Sequence, residues 1–264
     1  MKIRDWSELA SADPTAVAGL LTEIKRDITS TSDPLEKALL LLGEETCHSL
    51  LGQIAEARQS VSQARQIAPE DNRFFEMHAD FHEARLYSTE DRFDEALDRF
   101  DAMLAKYRQD LNEPENRYVY EEIQYRRGIA LERTERYREA LTLLREAESF
   151  ELTSEDRSDL YCHIGHCHHR LREDELALPY FLKARDLGLS KNWTPSFHYD
   201  LGYVYYRLRN YPEAKQEFTI CEDQITSGLP APPAAQVYQM LAYVAQALGQ
   251  RPESERYSAM VRPS

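Results

Sequence analysis

The residues best suited to chemistry lie in one ten-residue stretch, YCHIGHCHHR, at positions 161–170. It holds two cysteines and four histidines, which are side chains that zinc prefers. On a helix, residues three and four apart share a face, so Cys162, His166 and His169 form one stripe. A structural zinc ion needs four ligands, and this spacing differs from zinc modules with paired ligands on separate turns. The stretch therefore favours no metal site, although these three residues remain its candidate ligands.

The other residues of this stretch have simpler expected roles. His163 and Cys167 lie on a second stripe, which we expect to pack against a neighbouring helix. His166 and His169 are expected to be polar surface residues. Because the charge of a histidine can change near neutral pH, an anionic ligand at this surface would bind more strongly in mild acid.

The rest of the sequence lacks the common catalytic patterns. It contains no P-loop, no glycine-rich dinucleotide turn and no G-x-S-x-G elbow. Paired carboxylates such as Glu121 and Glu122 are typical of a solvated helix face. We therefore predict a protein that is not an enzyme and has no cofactor, and the alternative is a metal-dependent or thiol-dependent activity centred on Cys162 and His166.

Composition limits the classes of partner. The 264 residues include 32 lysines and arginines against 46 aspartates and glutamates, a formal net charge of −14. This charge repels nucleic acid and anionic membranes, so neither is an expected partner. The longest aliphatic run, ALLLL at positions 38–42, is too short for a membrane span, and the first residues lack an apolar signal core. We expect a cytoplasmic protein with four reduced cysteines.

The pattern of apolar residues predicts helices throughout. Apolar side chains recur three and four residues apart, glycine is scarce at nine residues, and the alternation typical of strands is missing. Asp13-Pro14 and Asp33-Pro34 are typical helix starts, and Asp33 with Glu36 has the spacing of a capping box.

Self-similarity shows that the chain is built from repeats. Five segments, GQIAEARQSVSQA, DRFDEALDRFDAM, ERYREALTLLREA, EDELALPYFLKA and RNYPEAKQEFTIC, each carry a central alanine followed four residues later by a larger apolar residue. A period of this kind predicts a stack of similar units. The central alanines are Ala57, Ala96, Ala140, Ala177 and Ala214, separated by 39, 44, 37 and 37 residues.

In three units a glycine precedes the alanine by twelve residues: Gly128, Gly165 and Gly202. A glycine there lets two antiparallel helices approach closely. The segment LGYVYYRLRNYPEAKQEF, at positions 201–218, then resembles the tetratricopeptide repeat family, with its leucine-glycine pair, the tyrosine three residues later, and the aromatic residue before glutamate-alanine.

This resemblance implies an all-α fold, a right-handed α-solenoid of stacked antiparallel helix pairs. It assigns residues 1–37 to N-terminal capping helices and residues 38–264 to about six helix pairs. The last pair is a degenerate C-terminal cap, with Ser254 and Ser258 in place of the alanine and the aromatic residue. Since the 44-residue step exceeds the family period of 34, we expect longer helices on either side of Pro114.

The resemblance also implies a concave binding face formed by the first helix of each pair. In the family, this face is built from residues three before the glycine and one, four and five after it. Transferred to this sequence, the frame selects Phe81, Arg85, Tyr125, Arg133, His166, His169, Arg170, Tyr199, Tyr203, Tyr206, Arg207 and Tyr243 as the candidate partner-binding residues.

Arginines and tyrosines suggest the chemistry of the partner. Arg133, Arg170 and Arg207 recur at steps of 37 residues, and arginine offers forked donors to carboxylates while tyrosine offers flat amphipathic surface. A protein or peptide segment with acidic or aromatic side chains fits such a face. The simpler alternative is that these arginines only pair with acidic neighbours such as Glu173 or Glu213, which contributes about 0 to 1 kcal/mol for an exposed pair.

The favoured function is therefore a protein-interaction adaptor that binds an extended segment of its partner. An alternative within the binding class is a peptide-sensing regulator similar to the bacterial peptide-pheromone receptors, although those have an additional N-terminal effector domain and 37 residues are too few for one. The oligomeric state is not predicted, since Leu241 and Val244 could be covered either within the chain or by a second copy.

Overall fold

A computed structural model describes residues 13–189 and 194–261, except for the side chains of residues 194 and 195. Within these ranges the chain forms thirteen α-helices, three short 3-10 turns and no strand, so the all-α prediction is confirmed. No helix in the described ranges combines the length and apolar character needed to cross a bilayer. The α-helices are α1 (Pro14–Ser30), α2 (Pro34–Leu50), α3 (Ile54–Ile67), α4 (Arg73–Thr89), α5 (Phe93–Lys106), α6 (Arg117–Arg133), α7 (Tyr137–Glu146), α8 (Ser154–Arg170), α9 (Asp174–Leu187), α10 (Thr194–Arg207), α11 (Tyr211–Thr226), α12 (Ala234–Ala247) and α13 (Arg251–Val261).

The first two helices begin where the sequence predicts. Proline occupies the first turn of each, and the side chains of Asp13 and Asp33 accept hydrogen bonds from the backbone two residues later. The capping box at Asp33 is indirect, because its N–H donates to the hydroxyl of Thr31, which in turn donates to Glu36.

The helices group into two compact units, one ending at Leu143 and the other beginning at Leu144. In the first unit, α1 packs on α2, α2 on α3, and α4 on α5, while α6 contacts both α4 and α5. In the second unit, α8 pairs with α9, α10 with α11, and α12 with α13. Helix α2 begins at Pro34, so the boundary expected at residue 37 falls inside it.

The central alanines of the repeat are the points of closest packing. All five are fully buried. The side chains four residues after them are also buried, and these are Val61, Phe100, Leu144, Phe181 and Phe218. The predicted role of glycine holds in the second unit, where a Cβ at Gly165 would stand 3.1 Å from the Phe181 ring and a Cβ at Gly202 would stand 3.0 Å from the Phe218 ring.

The turn inside each helix pair has one repeated geometry. Its second residue adopts a left-handed backbone conformation, with φ between 58° and 73°. After α8, for example, the N–H of Arg172 bonds to the carbonyl of His169 and the next N–H bonds to the carbonyl of His168, which is the Schellman pattern of helix ends. The left-handed residue lies five positions before the repeat alanine, or before Ser254 in the last pair, and these residues are Gly52, Asp91, Glu135, Arg172, Arg209 and Gly249.

The expectation of longer helices around Pro114 is wrong. Helices α5 and α6 have 14 and 17 residues, the same lengths as α3 and α4. The additional residues form two 3-10 turns, Asp110–Asn112 and Pro114–Asn116, because proline at 114 supports a tight turn but cannot donate a backbone hydrogen bond. Leu111 is buried, so the connection packs into its unit.

The last helix pair covers its own apolar side chains. Leu241 and Val244 on α12 are 1% and 0% exposed, and Tyr257 of α13 is also buried. The rings of Tyr257 and Tyr238 stack with their centroids 6.2 Å apart. Leu241 and Val244 are therefore covered within the chain rather than by a second copy.

Candidate functional site

A polar cleft lies in the second unit, between the C-terminal ends of α8 and α10 and the turn after α8. Its volume is about 230 Å³, and it is lined by His169, Arg170, Arg172, Tyr203 and Arg207. Four of these residues are predicted by the repeat frame, and the structure brings them together around one opening. Arg172 is not predicted by the frame, because it lies in the turn rather than on the first helix of the pair.

Asp174 fixes two residues of this cleft. Its Oδ1 atom lies 3.0 Å from Nδ1 of His169, and its Oδ2 atom lies 2.8 Å from Nε of Arg207. The Asp174 side chain is only 7% exposed, so this carboxylate is held by its two partners rather than by bulk water. Asp174 stands where the repeat usually has an aromatic residue, and its charge orients side chains from α8 and α10 at the same time.

A row of tyrosines extends from the cleft along α10. The ring of Tyr203 packs edge-on against His169, with 5.5 Å between the ring centroids. The ring centroids of Tyr199 and Tyr206 lie 6.3 and 6.4 Å from the centroid of Tyr203. All three tyrosines are half-buried. Burial raises the pKa of Tyr199 and of Tyr206, so both phenols remain protonated and can donate hydrogen bonds at neutral pH.

Two further aromatic residues continue the same surface. Tyr211, at the start of α11, lies 5.8 Å from Tyr206 between ring centroids. Tyr243 on α12 is 44% exposed, and its hydroxyl accepts a hydrogen bond from the side-chain amide of Gln239 at 2.8 Å. The predicted residues of the second unit thus provide both charged groups and accessible aromatic rings.

The two predicted aromatic residues of the first unit are buried, whereas Arg133 is accessible. Phe81 is 9% exposed and packs 6.5 Å from Phe100 between ring centroids, within the core of α4 and α5. Tyr125 on α6 is 7% exposed, so most of its ring is also withdrawn from solvent. Arg133, at the end of α6, is exposed.

Arg85 makes internal contacts in the first unit. Its Nη2 atom donates to Glu45 at 2.6 Å and to the hydroxyl of Thr46 at 2.8 Å. Glu45 is fully buried and also bonds to His82 and Ser49. Burial alone raises the pKa of Glu45, but the nearby charges of Arg85 and His82 and these hydrogen bonds outweigh it and lower the pKa to about 2. Arg85 therefore compensates a buried carboxylate.

The cysteines and histidines of α8 are mostly packed. Cys162 and Cys167 are fully buried and His163 is 5% exposed, which agrees with the expected packing of His163 and Cys167 but places Cys162 inside the core. His166 is half-buried. Within the described ranges, no three histidine, cysteine or acidic side chains are arranged to hold a metal ion.

His168 has a defined hydrogen-bonding role. Its Nδ1 atom lies 2.7 Å from Glu173, and its Nε2 atom lies 3.0 Å from Nη2 of Arg145. Arginine can only donate, so Nε2 accepts and Nδ1 carries the proton that is donated to Glu173. Glu173, an acidic neighbour that could have paired with a surface arginine, instead binds a buried histidine.

One part of the sequence and the fold as a whole are similar to known proteins. A family model described as tetratricopeptide repeat matches residues 158–187, which span most of α8 and all of α9. No curated protein sequence matches the chain.

Solved structures similar to the chain cover most of its length at low sequence identity. PilF of Pseudomonas aeruginosa has a TM-score of 0.61 and 19% identity over 87% of this chain and 92% of its own. The apo form of RapI has a TM-score of 0.68 and 16% identity over 99% of this chain and 74% of its own. A Rap protein complexed with competence and sporulation factor has a TM-score of 0.64 and 15% identity over 98% of this chain and 74% of its own.

These likenesses and the successive helix pairs define the class: the chain has the fold of an α-solenoid built from helical hairpins. Within this fold, the sequence of α8 and α9 matches a tetratricopeptide repeat. Proteins of this kind generally serve as interaction scaffolds.

Proposed function

We propose that the protein is a non-enzymatic, cytoplasmic adaptor that binds an extended segment of a partner protein on the surface formed by α8, α10 and α12. The observation that supports the proposal best is the cleft of His169, Arg170, Arg172, Tyr203 and Arg207. The repeat frame selects four of these residues for binding from the sequence alone, and they surround one opening.

The two halves of this surface suit different parts of a partner segment. Guanidinium groups at the cleft give charge-assisted, directional hydrogen bonds to an acidic group. The tyrosine row beside it offers apolar area with few rotatable bonds, which lowers the entropy lost on binding. A partner segment with an acidic group followed by aromatic or proline side chains would therefore match the arginine-lined cleft and the tyrosine row beside it.

A second candidate function is a peptide-sensing regulator. It is favoured by the fold similarity to a Rap protein complexed with competence and sporulation factor, which extends over 98% of this chain. Both functions use a peptide-binding surface, so they differ in what binding causes. An adaptor keeps its conformation and joins two proteins, whereas a sensor changes its affinity for a second partner when the peptide binds.

Peptide selection with the purified full chain tests the binding surface. Selected peptides are titrated against the wild type, Arg170→Ala, and the control Arg138→Ala, which removes an exposed arginine of α7 outside the candidate set. We expect Arg170→Ala to weaken binding about tenfold, the loss of one charge-assisted contact, and Arg138→Ala to leave it unchanged. Peptides that bind all three proteins equally would contradict the proposed surface.

A further inference from the structure

We propose that a surface of five tyrosines binds a proline-rich stretch of the partner segment in the polyproline II conformation. This inference rests on the proposed function and specifies which of two side-chain types, aromatic or proline, the tyrosines bind. The choice follows from the spacing of the rings, the lack of charge on α12 and the hydrogen-bond donors of the phenols. We call these residues the tyrosine surface, and they are Tyr199, Tyr203, Tyr206, Tyr211 and Tyr243.

The tyrosines of α10, α11 and α12 belong to one surface. Ring centroids are 6.4 Å apart between Tyr203 and Tyr206 and 5.8 Å apart between Tyr206 and Tyr211. Burial raises the pKa of Tyr206, and Tyr211, Tyr203 and Tyr243 lie near enough to add to the effect. Tyr243 therefore extends the row of α10 onto α12.

The contacts between the rings disfavour an aromatic ligand side chain. Aromatic rings in direct contact have centroids about 4.5 to 7 Å apart, and every measured spacing in this row lies in that range. A further ring therefore cannot enter between neighbouring tyrosines and would have to lie on top of them, without a pocket around it. Proline is compact and already restricted in conformation, so it can bind such a shallow surface at a small entropic cost.

The length of the row on α10 matches a polyproline II helix. Tyr206 follows Tyr199 by seven residues, a rise of about 10.5 Å along the helix axis. A polyproline II helix repeats every three residues, or about every 9.3 Å, so both prolines of a P-x-x-P pattern lie on one face. Such a pair of prolines can contact the two ends of the row at the same time.

The lack of charge on α12 is an independent observation. Charged residues make up 30% of the chain, yet the 14 residues of α12 include none. Its exposed side chains include Tyr243 and three glutamines, Gln236, Gln239 and Gln246. A charged side chain of the partner would lose water here without gaining an opposite charge, which is unfavourable. An uncharged proline-rich stretch avoids this cost.

The phenols suit a backbone that offers mainly acceptors. Proline has no backbone N–H, and the polyproline II helix has no internal hydrogen bonds, so its carbonyl groups are free to accept. The hydroxyl of Tyr243 accepts a hydrogen bond from Gln239 at 2.8 Å, which leaves its own O–H to donate. The phenol of Tyr206 stays protonated at neutral pH because its pKa is raised. Both hydroxyls can therefore bind carbonyl groups of the partner.

The probes are three peptide libraries with random positions around a fixed P-x-x-P, A-x-x-A or F-x-x-F, selected on the purified full chain. Selected peptides are labelled with fluorescein and titrated by fluorescence anisotropy. Each P-x-x-P peptide is also made with both prolines replaced by alanine or by phenylalanine. We expect the proline version to bind about tenfold more tightly than either replacement.

Two substitutions test whether the tyrosine surface is the binding site. Tyr243→Ala removes an exposed ring and should weaken binding of the proline peptide about tenfold. Its matched control is Phe74→Ala, because Phe74 on α4 is 43% exposed and Tyr243 is 44% exposed. The control should bind like the wild type, and both variants should keep Tm within about 2 °C. Tyr206→Phe keeps the ring and removes the hydroxyl, so we expect a loss of about threefold.

Four outcomes would contradict the inference. If the alanine or phenylalanine peptides bind as tightly as the proline peptides, proline is not recognised and the adaptor function still stands. If Tyr243→Ala and Tyr206→Phe both bind like the wild type, the peptide occupies another surface. If sedimentation shows a wild-type dimer and a Tyr243→Ala monomer, the tyrosine surface is a contact between two copies of the chain. If neither these libraries nor a fully random library yields a binder, the proposed function fails as well.

Discussion

Asp174 on α9 contacts Arg207 on α10 at 2.8 Å, between Oδ2 and Nε, and thereby joins two successive helix pairs of the second unit. The aspartate is buried and the arginine lies at the cleft, so one interaction contributes to both packing and the candidate site. An ion pair of this kind does not by itself stabilise a protein strongly, since burying the charges is unfavourable. Removing one partner is more costly because it leaves the other charge uncompensated.

Asp174→Asn keeps the size of the side chain and removes its charge. We expect the free energy of unfolding to fall by about 1 to 3 kcal/mol, since Arg207 and His169 lose a charged acceptor. Urea unfolding measures this change. Asp186→Asn, an exposed position on the same helix, is the control and should differ from the wild type by less than about 0.5 kcal/mol. Equal losses in the two variants would show that Asp174 has no special role.

Close packing at the repeat glycine gives a second prediction. At Gly165 a Cβ would stand 3.1 Å from two carbon atoms of the Phe181 ring, and Phe181 is fully buried and has little room to move. We expect Gly165→Ala to destabilise the protein by about 1 to 3 kcal/mol through overpacking.

The matched substitution is Gly19→Ala. Gly19 lies in α1, and no atom outside its own stretch of helix backbone comes within 4 Å of the position that a Cβ would take. Alanine there should therefore stabilise the helix by about 0.5 to 1 kcal/mol. Thermal or urea unfolding of both variants should show shifts of opposite sign. Shifts of the same sign would contradict the close approach at Gly165.

The left-handed turn residues give a third prediction. Gly249 has φ of +73°, so Gly249→Ala forces a Cβ into an unfavourable backbone conformation and should cost about 1 kcal/mol. Arg209→Gly makes the reverse change and should stabilise the protein by about 0.5 to 1 kcal/mol. Both changes in stability can be measured as shifts of the urea-denaturation midpoint, provided that the m-value is unchanged. A destabilised Arg209→Gly would show that its side chain contributes more than the backbone costs.

Much of the fold could be predicted because the repeat places residues of the same type at the same structural positions. Ala57, Ala96 and Ala177 are separated in sequence but are all fully buried against a partner helix. Gly165 and Gly202 approach phenylalanine rings as their spacing predicts. These positions depend on local helix geometry and on contact between neighbouring helices, which the amino-acid pattern specifies.

The site could be predicted less completely, because its side chains depend on contacts between helices. Phe81 and Tyr125 occupy positions that the repeat frame assigns to the binding face, but both are buried. The frame gives only the position along the helix, so it cannot separate buried from exposed residues there. Arg172 lies outside the frame, although Gly52 and Gly249 at equivalent positions are a usable signal of its left-handed turn. Asp174 is visible in the sequence as a departure from the repeat, but its two contacts arise only in the folded chain.

The last prediction concerns His78, a histidine of α4 that is 1% exposed. Its Nε2 atom lies 3.3 Å from the hydroxyl of Tyr118, and the centroid of its ring lies 4.4 Å from the centroid of the Phe74 ring. Burial, and to a smaller extent the nearby charge of His82, lowers the pKa of His78 from 6.5 to about 3. His78 is therefore neutral in the folded protein, and its Nε2 can accept a hydrogen bond from Tyr118.

A lowered histidine pKa makes stability depend on pH in a defined direction. In the unfolded chain His78 is protonated below about pH 6.5, whereas in the folded chain it is protonated only below about pH 3. The unfolded state therefore binds more protons between these values, and the free energy of unfolding falls as the pH drops through this range. The loss from this group approaches about 1.4 kcal/mol per pH unit. In His78→Phe the group is absent, so its urea-unfolding free energy should fall less steeply than that of the wild type between pH 6.5 and 4. The other titrating groups are present in both proteins, so the difference in slope reports His78 together with the effect of its removal on the neighbouring His82. Parallel curves would show that His78 is not held neutral by the fold.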